Sequence, residues 1–310
     1  MEVATSRRPI EMPHQSPGFF KRRTFNQMKK RSHSADTDDS FSSHTLETRL
    51  SNSSSSHDRS ATECLIELRD YFSSPSSPSV SDAEIFRFAC YHNFQYSEAL
   101  TDILQKHDSR HMNLRMSGFL MKQLQTKTLF PLPGLKTKNK KCDVFYMRPS
   151  RYVPSQMKTT MVIDNLCYVL NDLSQTKDQC QNGVAFIANM NDWTMKNFSH
   201  DYCFQFMQAL QGKMVPTKVE LFLIVNPPSW FGRVWKVMKS MLSKSFAKKV
   251  HMIKEDRLGE FLMDGYDQYV PDEFSAGWKI TEEITDDYID FRQYEDSQKD
   301  TGLRLIHPRG

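Results

Sequence analysis

The sequence predicts an α/β fold in which helices cover a mostly parallel sheet. Three short runs have the continuous apolar and aromatic content of buried strands, residues 143–147, 183–190 and 219–226. The segments between them, residues 155–173 and 199–214, repeat apolar residues at helical spacing. This alternation requires parallel strands joined by right-handed crossovers, so the helices must lie against the sheet.

A small helical lobe is predicted ahead of the sheet. Residues 61–72 and 83–105 show helical periodicity, and Pro75 and Pro78 mark the break between the two helices. The 310 residues are long enough for one α/β domain with extensions. The predicted divisions are a disordered tail at residues 1–58, the helical lobe at 60–125, the sheet domain at 126–280 and a polar C-terminal extension at 281–310.

The first 58 residues contain a Ser-rich, low-complexity stretch. Such a stretch buries too little apolar area to offset its ordering entropy, so we predict that it is disordered. Within it, Phe19, Phe20 and Phe25 stand among six basic residues from Lys21 to Arg31. This cluster is either a solvated charged tail or a weak anchor for anionic lipid, in which each basic residue contributes about 1 kcal/mol near the surface.

The charge distribution argues against nucleic-acid binding. Residues 1–60 hold ten basic and seven acidic residues, which leaves 31 basic and 30 acidic residues for the rest of the chain. A nearly neutral folded part lacks the surplus of positive charge that binding to phosphates requires.

Membrane spans, metal sites and catalytic motifs are not predicted. No stretch approaches the ~20 apolar residues of a spanning helix, and the N-terminus lacks the apolar core of a signal peptide. We expect a cytoplasmic monomer whose contact with membranes is peripheral. The six cysteines form no CxxC pair, so we expect reduced thiols and no metal. No GxGxxG, Walker A, HExxH or GxSxG motif occurs, which argues against an enzyme or a bound cofactor.

Residues 216–253 carry an ordered motif: a Pro and a basic residue, an apolar strand ending in Val-Asn-x-Pro, an amphipathic helix ending in Leu-Ser, and a Lys-Val strand. The matching residues are Pro216, Lys218, Val225, Asn226, Pro228, Leu242, Ser243, Lys249 and Val250. This motif resembles the CRAL-TRIO family of lipid-binding proteins. Residues 84–100 and 270–277 agree with the same family, so the resemblance covers about residues 84–280. It implies a hydrophobic lipid cavity closed by a gating helix, with lipid exchange and no chemical step.

Some positions differ from the family pattern. Lys140, Lys141 and Cys142 replace a Gly-Arg-Pro before the first strand, and Ser275 and Ala276 replace a closing Gly-Gly. Phosphatidylinositol-binding members resemble this chain at Lys249 but carry an acidic residue where Thr217 stands. The resemblance therefore leaves the lipid open between a phospholipid and another hydrophobic small molecule. A CRAL-TRIO scaffold without exchangeable cargo, acting in protein interaction or membrane recruitment, is the alternative.

The helix predicted over residues 228–243 has an apolar side and a cationic side. It is either a core helix with a solvated basic face or a lid over a lipid cavity, and the resemblance favours the lid. Two tryptophans and two methionines suit contact with lipid, and a purely cationic polar face suits an anionic membrane. The predicted lipid-binding residues are Phe186, Leu221, Leu223, Val225, Trp230, Phe231, Val234, Trp235, Met238, Met241 and Lys249. The predicted membrane-docking residues are Arg233, Lys236, Lys239 and Lys244.

Overall fold

The structure, a computed structural model, describes residues 56–275, residue 277 and residues 281–300. The predicted disordered tail and its basic cluster therefore lie outside the described residues, apart from residues 56–58. Within the described part, a five-stranded sheet has the strand order β1-β2-β3-β4-β5. Its strands are β1 (Leu129–Lys136), β2 (Asp143–Met147), β3 (Val184–Asn189), β4 (Val219–Val225) and β5 (Val250–Ile253).

Helices precede, connect and follow the strands. In chain order they are α1 (Ser56–Phe72), α2 (Asp82–Tyr91), α3 (Tyr96–Lys106), α4 (Gly118–Gln125), α5 (Thr159–Asp172), α6 (Lys177–Asn182), α7 (His200–Leu210), α8 (Phe231–Ser240), α9 (Lys244–Ala247) and α10 (Thr281–Asp300). Short 3-10 turns occur at Pro149–Arg151, Met195–Asn197, Glu255–Glu260 and Tyr266–Gln268.

The sheet topology confirms the predicted fold class. β1 pairs antiparallel with β2, and β2 to β5 pair in parallel. Because the parallel strands follow one another in order, right-handed crossovers place α5, α7, α8 and α9 on one face of the sheet, and α6 packs against α2 of the lobe. The opposite face packs against residues 254–274, hereafter the return segment.

The helical lobe has its own apolar core, formed by α1, α2 and α3. A capping box starts α2: the Ser81 hydroxyl accepts from the Glu84 backbone N–H at 3.3 Å, and the Glu84 carboxylate accepts from the Ser81 N–H at 3.2 Å. Phe88 and Ile103 are fully buried between the three helices.

The predicted polar C-terminal extension contains helix α10, which packs on the domain through a few buried residues. Its buried Tyr288 and Arg292 both reach Asp172 at the end of α5, where the Tyr288 hydroxyl lies 3.1 Å and the Arg292 guanidinium 2.6 Å from the carboxylate. Ile284 and Ile289 are also buried, so the helix packs on the domain. The segment looked polar because only a few apolar residues anchor it.

Candidate functional site

The face of the sheet beneath the crossover helices is lined by a ladder of phenylalanines. Phe145, Phe186 and Phe222 lie in register on β2, β3 and β4. Their ring centroids are 4.9 Å apart between the first pair and 5.5 Å apart between the second, with nearly parallel planes. The predicted site residue Phe186 is thus at the centre of the helix-covered face.

Three other predicted sheet residues lie on the opposite face. Leu221, Leu223 and Val225 pack with the return segment, whereas Phe222 and Ile224 belong to the helix-covered core. Side chains of a strand alternate between faces, and β4 is apolar on both, so its sequence gave no sign of which set faces the helices. The side of β4 that faces the helices therefore carries Phe222 and Ile224, whereas Leu221, Leu223 and Val225 lie away from α8, and the prediction for these three residues is corrected.

Helix α8 lies on the helix-covered core through its apolar side. Phe231 and Val234 are buried, and the neighbouring apolar residues of the helix and its ends are only partly buried. The partly buried ones are Trp230, Trp235, Met238, Met241 and Leu242. One turn of this helix is buried and its other apolar residues are only partly buried, so it makes less contact with the core than a core helix does. Limited contact suits an element that separates from the sheet.

The opposite side of α8 is cationic and exposed. Arg233, Lys236 and Lys239 on α8 and Lys244 at the start of α9 all lie on the surface, and none forms an ion pair with another described residue. Val237 is an apolar residue of α8, yet its side chain is 43% exposed among these charges. The three predicted docking residues of α8 therefore share one solvent-facing side of that helix, and Lys244 is exposed at the start of α9.

The amino end of α8 is held by an aromatic contact that the sequence analysis missed. Trp193, in the loop after β3, is only 8% exposed. Its ring stacks on Trp230 with centroids 4.8 Å apart and meets the edge of Phe231 at 5.6 Å. Because the carboxyl ends of parallel strands share one edge of the sheet, an aromatic just after β3 lies beside the residues just after β4.

The same end carries a polar anchor. Asn226 adopts a left-handed backbone conformation with φ of 53°, which an asparagine tolerates better than most residues. Its side-chain amide donates to the Glu255 carboxylate at 2.9 Å, and its side-chain oxygen accepts from the Glu255 N–H at 3.1 Å. The Ser275 hydroxyl donates to the same carboxylate. These bonds fix the point from which α8 departs.

The carboxyl end of α8 is clamped by a single side chain, that of Gln211. Its amide nitrogen donates to the Met241 carbonyl at 3.1 Å, and its side-chain oxygen accepts from the Ser243 N–H at 2.8 Å. The Gln211 carbonyl in turn accepts from the Tyr91 hydroxyl of the lobe at 2.7 Å. The next residue, Gly212, has φ of 75°, and a Cβ there would lie 1.9 Å from the Tyr91 oxygen. This loop therefore joins the lobe to α8.

Replacing Gln211 with leucine is expected to loosen the carboxyl end of α8 and to lower the free energy of unfolding by about 2–4 kcal/mol, since three side-chain hydrogen bonds are lost, two to the end of α8 and one to the Met207 carbonyl. Amide hydrogen exchange over residues 241–245 should accelerate. Gln205 provides the matched control, because it lies on α7, the helix that ends just before Gln211, and its side chain bonds Asp201 instead of α8. Equal exchange over residues 241–245 in Q211L and Q205L would show that Gln211 is not a clamp.

Methionines form much of the partly buried border of the helix-covered core. Seven of the partly buried residues that pack on this core within the described part of the chain are methionine: Met112, Met116, Met121, Met157, Met214, Met238 and Met241. The unbranched, polarizable methionine side chain fits irregular and changing surfaces. The border of this core is therefore able to mould to a flexible occupant.

Lys249, which the resemblance marks as a headgroup contact, already has protein partners. Its ammonium donates to the Val219 carbonyl at 2.8 Å and lies 3.4 Å from the Glu220 carboxylate. Lys140 contacts the same carboxylate at 2.7 Å. The two lysines lower the pKa of Glu220 against the opposing effect of burial, so this carboxylate is ionised at neutral pH. The structure thus places Lys249 at the amino edge of the sheet, away from the aromatic contact of α8.

Thr217, at the position of the family's acidic residue, is buried and bonded to its neighbours. Its hydroxyl lies 3.3 Å from the Arg87 guanidinium and 3.0 Å from the Ser174 hydroxyl. Burial lowers the pKa of Arg87 to about 10. The crevice beside these groups has essentially no room even for a water molecule, whereas ligand pockets begin at roughly 300 Å³. It is too small for a lipid tail.

The cysteines are not activated thiols. Burial raises the pKa of Cys167 to about 12 and the pKa values of Cys64, Cys180 and Cys203 to about 11. A thiol with a raised pKa is a poor nucleophile at neutral pH. Among the described residues, no group of His, Cys, Asp and Glu is placed to hold a metal ion. In the same part of the chain, every helix is too short or too polar to span a bilayer.

Comparisons with known proteins agree with this architecture. The family model described as the CRAL/TRIO domain matches residues 116–275, just over half of the chain. Proteins named alpha-tocopherol transfer protein-like align over 189 residues, at 28% identity from Mus musculus and 26% from Homo sapiens and Pongo abelii. The alignments cover 58% of this chain and 54% of each relative, so the chain spans about half the length of the curated relatives it matches. The crystal structure of Sfh5 aligns with a TM-score of 0.49 at 12% identity, covering 77% of this chain and 98% of that one.

Proposed function

From the premise that the chain belongs to the CRAL/TRIO domain family, we propose that it encloses one hydrophobic lipid beneath α8 and transfers or senses that lipid at anionic membranes, with no chemical step. The observation that carries the proposal is the position of α8. Its half-buried apolar side packs on the core that includes the phenylalanine ladder, and its cationic side faces solvent. We refer to α8 in this role as the lid.

The lid works by exchanging one apolar environment for another. In water, closure over the lipid removes apolar surface from solvent, which is worth roughly 25 cal/mol for each Å². Opening in water would lose that contribution. At a bilayer, the tryptophans and methionines of the lid are buried in lipid when it opens, so the barrier to exchange falls there. The exposed charges of Arg233, Lys236, Lys239 and Lys244 attract the lid to anionic lipid first.

The ligand is recognised mainly by its apolar body. Both positions that the resemblance linked to an inositol headgroup, Thr217 and Lys249, are bonded to protein groups. This arrangement favours a ligand whose polar part is small. The names of the curated relatives refer to tocopherol, which has an apolar tail and a single hydroxyl, and they support the same class for this chain.

The proposal predicts saturable uptake of one lipid per chain. The purified full-length protein would be delipidated and titrated with fluorescent analogues of phospholipid, tocopherol and retinoid, and the bound complex would be weighed by native mass spectrometry. We expect at least one class to bind with a stoichiometry near one. Absence of saturable uptake for every class would support the alternative, a scaffold that acts in protein interaction or membrane recruitment without cargo.

A further inference from the structure

An asparagine without hydrogen-bond partners lies inside the helix-covered core. Asn165, in the middle of α5, is 0% exposed. Neither its side-chain nitrogen nor its side-chain oxygen has a hydrogen-bond partner among the described residues. One helical turn to either side, Val162 and Val169 belong to the same core on which the lid packs. The amide is therefore a polar point in an otherwise apolar surface.

Leaving both amide atoms unbonded is costly. Each buried donor or acceptor without a partner costs about 1–3 kcal/mol, and the large majority of buried side-chain polar atoms in native proteins are bonded to protein or to ordered water. A leucine of nearly the same volume at this position would avoid the penalty. The amide thus has the properties of a group that is completed by a ligand.

The cover of this part of α5 is adaptable. Residues 110–121 cross the helix: Arg110 pairs with Asp164, the neighbour of Asn165, and the Asn171 amide donates to the His111 carbonyl at 2.6 Å. The same segment contributes the partly buried Met112, Met116 and Met121 to the border of the core. Methionine side chains can rearrange to make room for another molecule. A methionine-rich segment beside a buried amide therefore suits a binding site that has no permanent cavity.

We propose that Asn165 binds the hydroxyl group of a neutral lipid alcohol or phenol, which deepens the proposed lipid-carrier function and rests on it. The side-chain amide offers an N–H donor group and an oxygen acceptor, and a hydroxyl can both accept and donate. One hydroxyl can therefore form a hydrogen bond with each of these two amide groups. An ether or ester oxygen only accepts and leaves the amide oxygen unbonded. An ionised headgroup would lose far more hydration than a hydroxyl at a fully buried position.

The test compares a lipid alcohol with its methyl ether, for which α-tocopherol and α-tocopheryl methyl ether serve as probes. For the delipidated full-length protein we expect the alcohol to bind at least about tenfold more tightly, since a site that bonds a hydroxyl rejects an analogue lacking the donor. In N165L the ratio of the two dissociation constants should fall to about one. The matched control is Y152F, which removes the Tyr152 hydroxyl, another buried polar group without a hydrogen-bond partner among the described residues. This variant should retain the wild-type ratio of the two dissociation constants.

The outcomes separate this inference from the proposed function. Equal affinity of the wild-type protein for alcohol and ether overturns the role of Asn165, whether or not N165L folds. An unchanged preference in N165L, with thermal unfolding confirming a folded variant, does the same, as does uptake of phospholipid with no uptake of either probe. Absence of uptake for every lipid overturns the carrier function itself. We also expect delipidated N165L to unfold at a temperature at least equal to that of the wild-type protein, because it lacks the two unbonded atoms.

Discussion

Replacing Trp193 with alanine is expected to release bound lipid faster, although Trp193 lies outside the lid. The substitution removes the stack on Trp230 at 4.8 Å and the edge contact with Phe231 at 5.6 Å. Such aromatic pairs contribute about 0.5–1.5 kcal/mol each beyond the area they bury. If this contribution holds the lid closed, lipid release into membrane-free buffer should accelerate about tenfold, since 1.4 kcal/mol corresponds to a factor of ten in rate.

The measurement must separate the lid from general stability. Trp193 is buried, so W193A will also lower the free energy of unfolding, by roughly 3–5 kcal/mol for a large aromatic in a core. Phe88 provides the control, because it is fully buried in the helical lobe and touches neither the lid nor Trp193. F88A should destabilise the protein to a similar degree and leave the release rate of each folded molecule unchanged.

A double-mutant cycle would locate the effect. Trp230 contacts Trp193 from the lid side, so the effects of W193A and W230A on release should be less than additive. Additive effects, or acceleration in F88A equal to that in W193A, would mean that the aromatic contact does not hold the lid. The contact would then be ordinary packing between two loops at the carboxyl edge of the sheet.

The sequence predicted the central strands of the fold because they are continuous apolar runs. It did not predict β1, whose residues include Pro131, Pro133 and Gly134. Proline is confined to edge strands, and β1 is indeed at the edge of the sheet, where only β2 pairs with it. The missing strand thus reflects tertiary context that overrides local composition.

The sequence predicted the parts of the candidate site that the periodicity of a helix defines. It did not predict the parts that depend on single residues. Spacing separated the cationic face of α8 from the apolar side, apart from Val237. Nothing periodic marks Trp193, Gln211 or Asn165. Trp193 and Gln211 contact distant parts of the chain through single side chains, and Asn165 is a buried amide without a hydrogen-bond partner among the described residues. Their positions follow from the topology, which brings the loop after β3, the end of α7 and the middle of α5 around the same core.

We expect slower lipid transfer to anionic vesicles, without reduced lipid capacity, when four positive charges of the docking face are removed. The variant carries glutamine in place of Arg233, Lys236, Lys239 and Lys244. These side chains are exposed and face away from the core, so their loss leaves the apolar side of the lid intact. Each basic residue near an anionic surface contributes about 1 kcal/mol, so vesicle binding should weaken on the order of a hundredfold or more at low salt. Stopped-flow transfer to vesicles containing phosphatidylserine would measure the effect.

A charge-matched control tests whether placement matters beyond net charge. Lys122, Lys141, Lys158 and Lys254 are exposed and lie outside α8 and α9, and replacing them with glutamine changes the net charge equally. If the lid docks through its cationic face, this variant should transfer lipid nearly as fast as the wild-type protein. High salt should remove most of the difference between the two variants, because screening shortens the range of surface charges to about 8 Å at physiological ionic strength. Equal slowing in both variants would show that the protein is attracted to membranes by its overall charge and that α8 has no special part in docking.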